Sequence, residues 1–372
     1  MLERTLAERL ITYETTSLEG IQSATGFVKG WLEARDVEVS DGRHNGRPFL
    51  AATVGAGEGP TVVLHGHLDV VPAPPEQFLP RVEGDRLYGR GAYDMKGGLA
   101  AMMCAVRDLA DQRDVRVRLL CVADEESEEE GPKASDHLIA DGHTGDFAIT
   151  GEPTDLRIGV QAKGVLAMRL AIRGKAAHGS TPWLGDNAVL KAFDAFRRIE
   201  SLPFARESSE LFDRPSINLG RIHGGDALNK VPDLCLVDVD VRYLPGQDPD
   251  AILAAVRELP DSEVSVLFQR VPAMVDRADP YVRTLAEVVA DRASGPGGPP
   301  AESISVGRDG ASDAVSFLAA GVPAVEFGPS GGGHHGPDEW VSISSLEGYK
   351  SALVEFVRRV PRRLELRPVR VA

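Results

Sequence analysis

Histidines and carboxylates stand at the ends of apolar runs in this chain. Val62-Val63-Leu64 leads into His65-Gly66-His67-Leu68-Asp69. β-Branched residues bounded by glycine read as a buried strand. His67 and Asp69 are then expected just past a strand's carboxyl end, where open α/β sheets place their ligand sites. A His two residues before an Asp suits a metal ligand. One ring nitrogen binds the ion, and the carboxylate holds the other N–H. The same spacing also describes two loop residues bonded to each other.

The pattern recurs downstream. The strand expected over Val115–Val122 ends in Ala123-Asp124-Glu125-Glu126. Adjacent carboxylates leaving a buried strand can divide their work, one binding metal and one handling a proton. The run Glu128 to Glu130 reads instead as a solvated face. Phe147-Ala148-Ile149 is a short apolar strand that runs into Thr150-Gly151-Glu152. Asp94 lies in the glycine-rich turn Gly89–Gly98, before a helix expected from near Gly97. Glycines there let the backbone pass close to an ion or substrate. A last strand, Val322–Gly328, leads through three glycines to His334-His335. Carboxylates and histidines on either side of a shared Asp suit a pair of divalent ions. Nitrogen and oxygen ligands without cysteine favour zinc, with cobalt or manganese also fitting.

The elements that must position these residues follow from periodicity. Leu2, Leu6 and Leu10 keep helical spacing; Phe27, Val28, Trp31 and Leu32 mark a second helix, followed by a strand. A chain of 372 residues has room for two domains. Residues 164–278 differ in character from the rest. They read as strand Val165–Ile172, helix Asn187–Ile199, strands Ser216–Ile222 and Leu234–Tyr243, a helix near Ala251–Leu259, and strand Val264–Phe268. That order is the split βαβ, ferredoxin-like α+β sandwich. The helix is expected to present Val189, Leu190, Phe193 and Phe196 on one face. The fold class is therefore α/β, with a central mixed sheet formed by residues 1–163 and 279–372 and an inserted α+β domain at 164–278.

Composition narrows the function. Hydrophobic residues at 42% and charged residues at 26% suit a globular chain, and the net charge is −15, from 56 acidic and 41 basic residues. Such acidity argues against nucleic acid or an anionic membrane surface as a partner. Cys104, Cys121 and Cys235 lack C-x-x-C spacing, so free thiols in a reducing, cytoplasmic compartment are expected. Met1-Leu2-Glu3-Arg4 does not open a signal peptide, and no run approaches a membrane span.

Six motifs in order, G-H-L-D-V-V-P, Y-G-R-G-A-Y-D-M-K-G-G, A-D-E-E, G-E-P-T, G-K-A-A-H-G-S-T-P-W-L-G-D-N-A and H-G-P-D-E-W, carry a family resemblance. The chain resembles the dinuclear zinc family of acetylornithine deacetylases, succinyl-diaminopimelate desuccinylases, glutamate carboxypeptidases and aminoacylases, from about Leu6 to Val357. The resemblance implies a zinc-peptidase-like catalytic domain and makes the insert a dimerisation, or lid, domain of a homodimer. It implies His67, Asp94, Glu126, Glu152 and His335 as metal ligands, with Asp94 bridging. Glu152 then serves the His67 metal and Glu126 the His335 metal, or the reverse. Of the adjacent histidines, the H-x-P-D-E-W spacing selects His335. Glu125 is implied as general base and Asp69 as the support of His67.

In the insert, the resemblance sends His178 to the partner subunit's active site to hold an oxyanion. By composition alone His178 is a solvated turn residue. Asn229 and Arg242 match positions that bind a substrate carboxylate, a task suited to the planar guanidinium fork. Arg242 also has Asp238 and Asp240 as neighbours for an ion pair. The expected reaction is hydrolysis of the amide of a small N-acyl amino acid. N-succinyl-diaminopimelate comes first, because Arg242, Lys163 and Arg308 supply positive charge for its extra carboxylate. Acetylornithine deacetylase and a carboxypeptidase or dipeptidase are the alternatives. A non-catalytic metal-binding protein on the same fold stands last, since neither Glu125 nor a ligand is missing.

Overall fold

Four strands run parallel through the centre of the first sheet, and their shared direction brings the site together. In a computed structural model, which describes residues 2–127, 131–293 and 305–365, Arg116–Val122, Thr61–His67, Phe147–Thr150 and Ala324–Glu326 lie side by side in that order. Register places His67 opposite Val122 and His65 opposite Thr150. The carboxyl ends of these strands therefore open on one edge, as in other open α/β sheets. Antiparallel strands flank them, Arg47–Val54 on one side and Ile158–Ala162 on the other, so the sheet is mixed. Thr61–His67 is buried along its whole length. That burial matches the near-continuous apolar run of a strand covered on both faces. Glu128 to Glu130, the expected solvated run, lie outside the described residues.

Helices cover this sheet. Leu2–Ile11 and Leu18–Glu33 occupy the expected positions, the second capped by Ser17, whose side chain accepts from Gly20 N–H. The expected single strand after them is a hairpin, Val39–His44 with Arg47–Val54. Asn45 and Gly46 turn it with φ of 47° and 79°, as a two-residue turn of this type requires. The helix Gly97–Asp108 is buried on nearly every side. No helix among the described residues is long and apolar enough to cross a membrane.

By Cα proximity the chain divides into two units. One takes in Met1–Val160, Val275–Val306 and Asp313–Ala372; the other takes in Gln161–Met274 together with Gly307–Ser312, a short return that the sequence did not suggest. The second unit is an antiparallel sheet in the order Ser216–Gly224, Leu234–Tyr243, Gly164–Arg173, Ser262–Arg270. With helices Ala188–Ser201 and Pro249–Arg257 in the second and fifth places, this is the ferredoxin-like arrangement.

One helix face differs from expectation. Ala188, Ala192, Ala195 and Ile199 are the residues that Ala188–Ser201 buries, while Leu190 and Phe193 are 63% and 50% exposed. Small side chains at helical spacing let the helix lie close on the sheet. Leu190 and Phe193 are thereby turned outward, while Val189 and Phe196 pack partly buried against the core. All three cysteines are free and buried.

Candidate metal centre

Asp94 stands between two groups of side chains. Its Oδ1 is 3.0 Å from His67 Nε2, and its Oδ2 is 2.5 Å from His334 Nε2 and 3.2 Å from His335 Nε2. Glu152 Oε1 lies 3.6 Å from His67 Nε2, and Glu126 Oε1 lies 3.0 Å from His335 Nε2. Each residue arrives as the strands dictate. His67 ends its strand, Glu125 and Glu126 follow the neighbouring strand, and Glu152 follows the next. Potential ligand atoms fall within 4.8 Å of one another in three sets: Asp94 with His334 and His335; His67 with Asp94 and Glu152; His67 with Glu125 and Glu126. Five expected ligands, His67, Asp94, Glu126, Glu152 and His335, thus converge. His334 joins them; its adjacency to His335 was the only sequence signal.

The residues fit divalent cations. All the donors are imidazole nitrogens or carboxylate oxygens, a set suited to zinc and its neighbours. Charge points the same way. Burial and then Asp94 drive the Glu152 carboxyl well above its usual range. Burial pushes Glu125 up to about 8; His67 opposes this, while Asp313, Asp94 and Glu126 add to it. Against the cost of burial, Asp94 and Glu152 hold a proton on His67. Hydrogen bonds that the ring donates to Asp94 and Glu126 push His335 up to about 10. Crowded carboxylates that retain protons present a place where cations substitute for protons.

Asp69 does not hold His67 in the expected way. His67 Nδ1 donates to the backbone carbonyl of Asp69 at 2.9 Å, and the Asp69 carboxylate is 3.7 Å away. That carboxylate accepts instead from Glu125 N–H at 3.3 Å and Glu126 N–H at 2.9 Å. Those amides leave a strand end and need acceptors. A buried carboxylate beside them is better placed there, while the main-chain oxygen satisfies the ring.

A second carboxylate escaped the sequence reading. Glu339 is 1% exposed and bonds to Arg90, 3% exposed, at 2.6 Å. It also accepts from the amides of Gly91, Tyr93 and Asp94. A Glu beside Trp340 in a polar motif gave no sign of burial.

The insert residues lie in the second unit. His178 is exposed. Ser180 N–H donates to its Nδ1 at 3.2 Å. The neutral ring therefore carries its proton on Nε2, which bonds to no described residue. Asn229 is exposed, and its carbonyl accepts from Gly179 N–H at 2.7 Å. Arg242 Nε donates to Asp240 at 2.9 and 3.1 Å. Lys163, 4% exposed, pairs with Asp309 at 2.7 Å. Two of the charges offered for a succinyl carboxylate are thus paired with acidic neighbours in the same unit.

Residues 63–359 match the sequence model of peptidase family M20/M25/M40. The chain belongs to peptidase family M20/M25/M40. M20 relatives span nearly all of it. A probable succinyl-diaminopimelate desuccinylase of Staphylococcus aureus is 27% identical over 89% of this chain and 91% of its own. A probable carboxypeptidase of Aspergillus terreus is 30% identical over 91% and 83%. The crystal structure of a Staphylococcus aureus tripeptidase superposes with a TM-score of 0.80 at 23% identity, covering 97% and 98% of the two chains. The protein is a metal-dependent amidohydrolase of the M20 family, with the mixed sheet and inserted α+β domain expected of it.

Proposed function

We propose that this M20 enzyme hydrolyses the amide bond of a small N-acyl amino acid with a pair of zinc ions, which His67, Asp94, Glu126, Glu152 and His335 would hold. The observation that carries this reading is the position of Asp94, with one oxygen facing His67 and the other facing His335. The proximities favour Glu152 with His67 and Glu126 with His335. When bound, the ions supply Lewis-acid polarisation of the amide carbonyl and lower the pKa of the attacking water.

The chain's own residues do the rest. Glu125 takes a proton from the attacking water and passes it to the leaving amine. Asp69 fixes the Glu125-Glu126 turn that presents it. His178, with its Nε2–H outward, donates to the developing oxyanion in the site of a partner subunit. Exposed apolar residues on the insert support a homodimer: Trp183 at 76%, Leu184 at 61%, Leu190 and Phe193. Asn229 and Arg242 bind the substrate carboxylate, and for Arg242 this means exchanging Asp240 for substrate. Free buried thiols support a reducing, cytoplasmic setting.

N-succinyl-diaminopimelate is the preferred substrate, supported by the desuccinylase relatives. A carboxypeptidase is the second reading, supported by the Aspergillus terreus relative. Specificity constants for N-succinyl-diaminopimelate, N-acetylornithine and C-terminal dipeptides decide between them. A higher constant for acetylornithine or a peptide moves the assignment to that substrate.

A further inference from the structure

Both oxygens of Glu339 are fully occupied. Oε1 accepts from Tyr93 N–H at 2.9 Å and Asp94 N–H at 3.1 Å. Oε2 accepts from Gly91 N–H at 3.1 Å and from Arg90 Nη1 at 2.6 Å. Three bonds therefore reach the backbone of the turn that carries Asp94, one of them at Asp94 itself.

Arg90 extends the same frame to the other ligand loop. Its Nη2 donates to the carbonyl of His335 at 3.0 Å and of Gly336 at 3.2 Å. Gly89 N–H donates to the Glu339 carbonyl at 3.0 Å, and strand Trp340–Ser342 pairs with Arg86–Tyr88. The Asp94 turn and the His335 loop thus meet on one buried ion pair, although some 240 residues separate them. Among the described residues, the side-chain partners of this pair do not include His67, Glu125, Glu126 or Glu152. They are fixed from the parallel strands instead.

We propose that Glu339 and Arg90 are a positioning pair that sets Asp94 and His335 in register with each other before any metal binds. The proposal rests on the two-zinc reading above. It gives the pair an effect that plain structural support lacks, because Arg90 ties down the loop of His335 and leaves that of His67 alone. Partners that orient metal ligands typically change metal affinity about 10–100-fold when lost.

The test is zinc titration against a chromophoric chelator, on wild type, Arg90→Lys and His335→Ala. Lysine keeps the charge against Glu339 but lacks the second fork of the guanidinium that reaches the His335 carbonyl. Arg90→Lys is expected to weaken by about 10–100-fold the same site that His335→Ala removes, and to leave the His67 site unchanged. Equal weakening of both sites with a lowered Tm makes the pair structural only and overturns the proposal. Unchanged affinity at both sites overturns it as well. Failure of wild type to bind two zinc ions sinks the two-zinc reading instead, so the two failures are distinguishable. If Arg90→Lys does not fold, hydrogen exchange in zinc-free wild type decides. The segment Gly89–Lys96 is expected to be protected without metal. Exchange at the rate of an unbonded loop means that the turn is not set in advance, and the proposal fails.

Discussion

The ring of His67 is held by the main chain of Asp69 and not by its side chain, at 2.9 Å against 3.7 Å. Asp69 therefore acts on the site at two separate points. Its carbonyl fixes the tautomer of His67, and its carboxylate, pushed up to about 6 by burial, fixes the turn of Glu125 and Glu126. A substitution of the side chain separates the two tasks. Asp69→Asn should keep zinc at the His67 site while lowering kcat by about 10–100-fold, the usual loss when an orienting partner is removed. Zinc loss from the His67 site matching that of His67→Ala would show that the carboxylate supports His67 after all.

Glu125 and Glu126 are adjacent but face different neighbours. Both lie in one set with His67, but Glu126 also reaches His335, while Glu125 is raised by burial. Glu125→Ala should cut turnover by about a hundredfold or more with metal content close to wild type. Glu126→Ala should lose one zinc. Metal analysis with single-turnover rates checks both, and swapped phenotypes would reverse the assignment.

His178 is exposed, and its Nε2 bonds to no described residue. One donor to an oxyanion is worth about two to three powers of ten in rate. His178→Ala should therefore bind zinc and substrate almost normally and turn over far more slowly. Mixing it with Glu125→Ala tests the partner-subunit role. Exchanged dimers contain one site with Glu125 and the partner's His178 both intact, and activity should recover toward about half of wild type per mixed dimer, since the two groups contribute separately to one transition state. Exchanged dimers without recovery would place His178 in its own subunit's site or in none.

The zinc-free protein should lose stability as pH rises. Glu125 holds its proton to about 8 in the folded chain against an ordinary 4.5, and His335 to about 10 against 6.5. The folded state binds more protons across both windows, so each contribution is present at the acid end and fades toward the folded pKa. Lys96 opposes them, because burial lowers it to about 7 and the unfolded chain binds its proton more tightly from there to 10.5. The cleanest fall in Tm is thus expected between pH 4.5 and 7, with partial cancellation above. Zinc takes the place of these protons and should flatten the profile. Thermal melts of zinc-free and zinc-loaded protein check this, and a zinc-free Tm that climbs through the lower window would contradict it.

Strand ends were legible in the sequence because buried parallel strands leave an unmistakable apolar run. His67, Glu125, Glu126 and Glu152 follow directly from that. Asp94 was legible through its glycines. The order of the inserted antiparallel sandwich was readable from a different signal, alternation and helical spacing. What the sequence hid were choices between chemically equivalent partners. Nothing in His-x-Asp says whether a carbonyl or a carboxylate reaches the ring. The H-x-P-D-E-W spacing selects His335 but gives no sign that His334 also reaches Asp94. The helix after Asn187 offers two apolar faces, and the alanine face is the buried one because it allows the closer approach. Glu339 was invisible because burial of a carboxylate depends on donors that arrive from residues 90–94.

The central claim is that Asp94 serves two metal ions at once, and zinc counting on substituted protein tests it most directly. Purified wild type should hold about two zinc ions per chain, the stoichiometry of a paired site. His335→Ala should hold about one and Asp94→Ala essentially none, with hydrolysis abolished in parallel and restored to chelated wild type by added zinc. Full zinc occupancy in Asp94→Ala, or undiminished hydrolysis by metal-free wild type, would contradict the account.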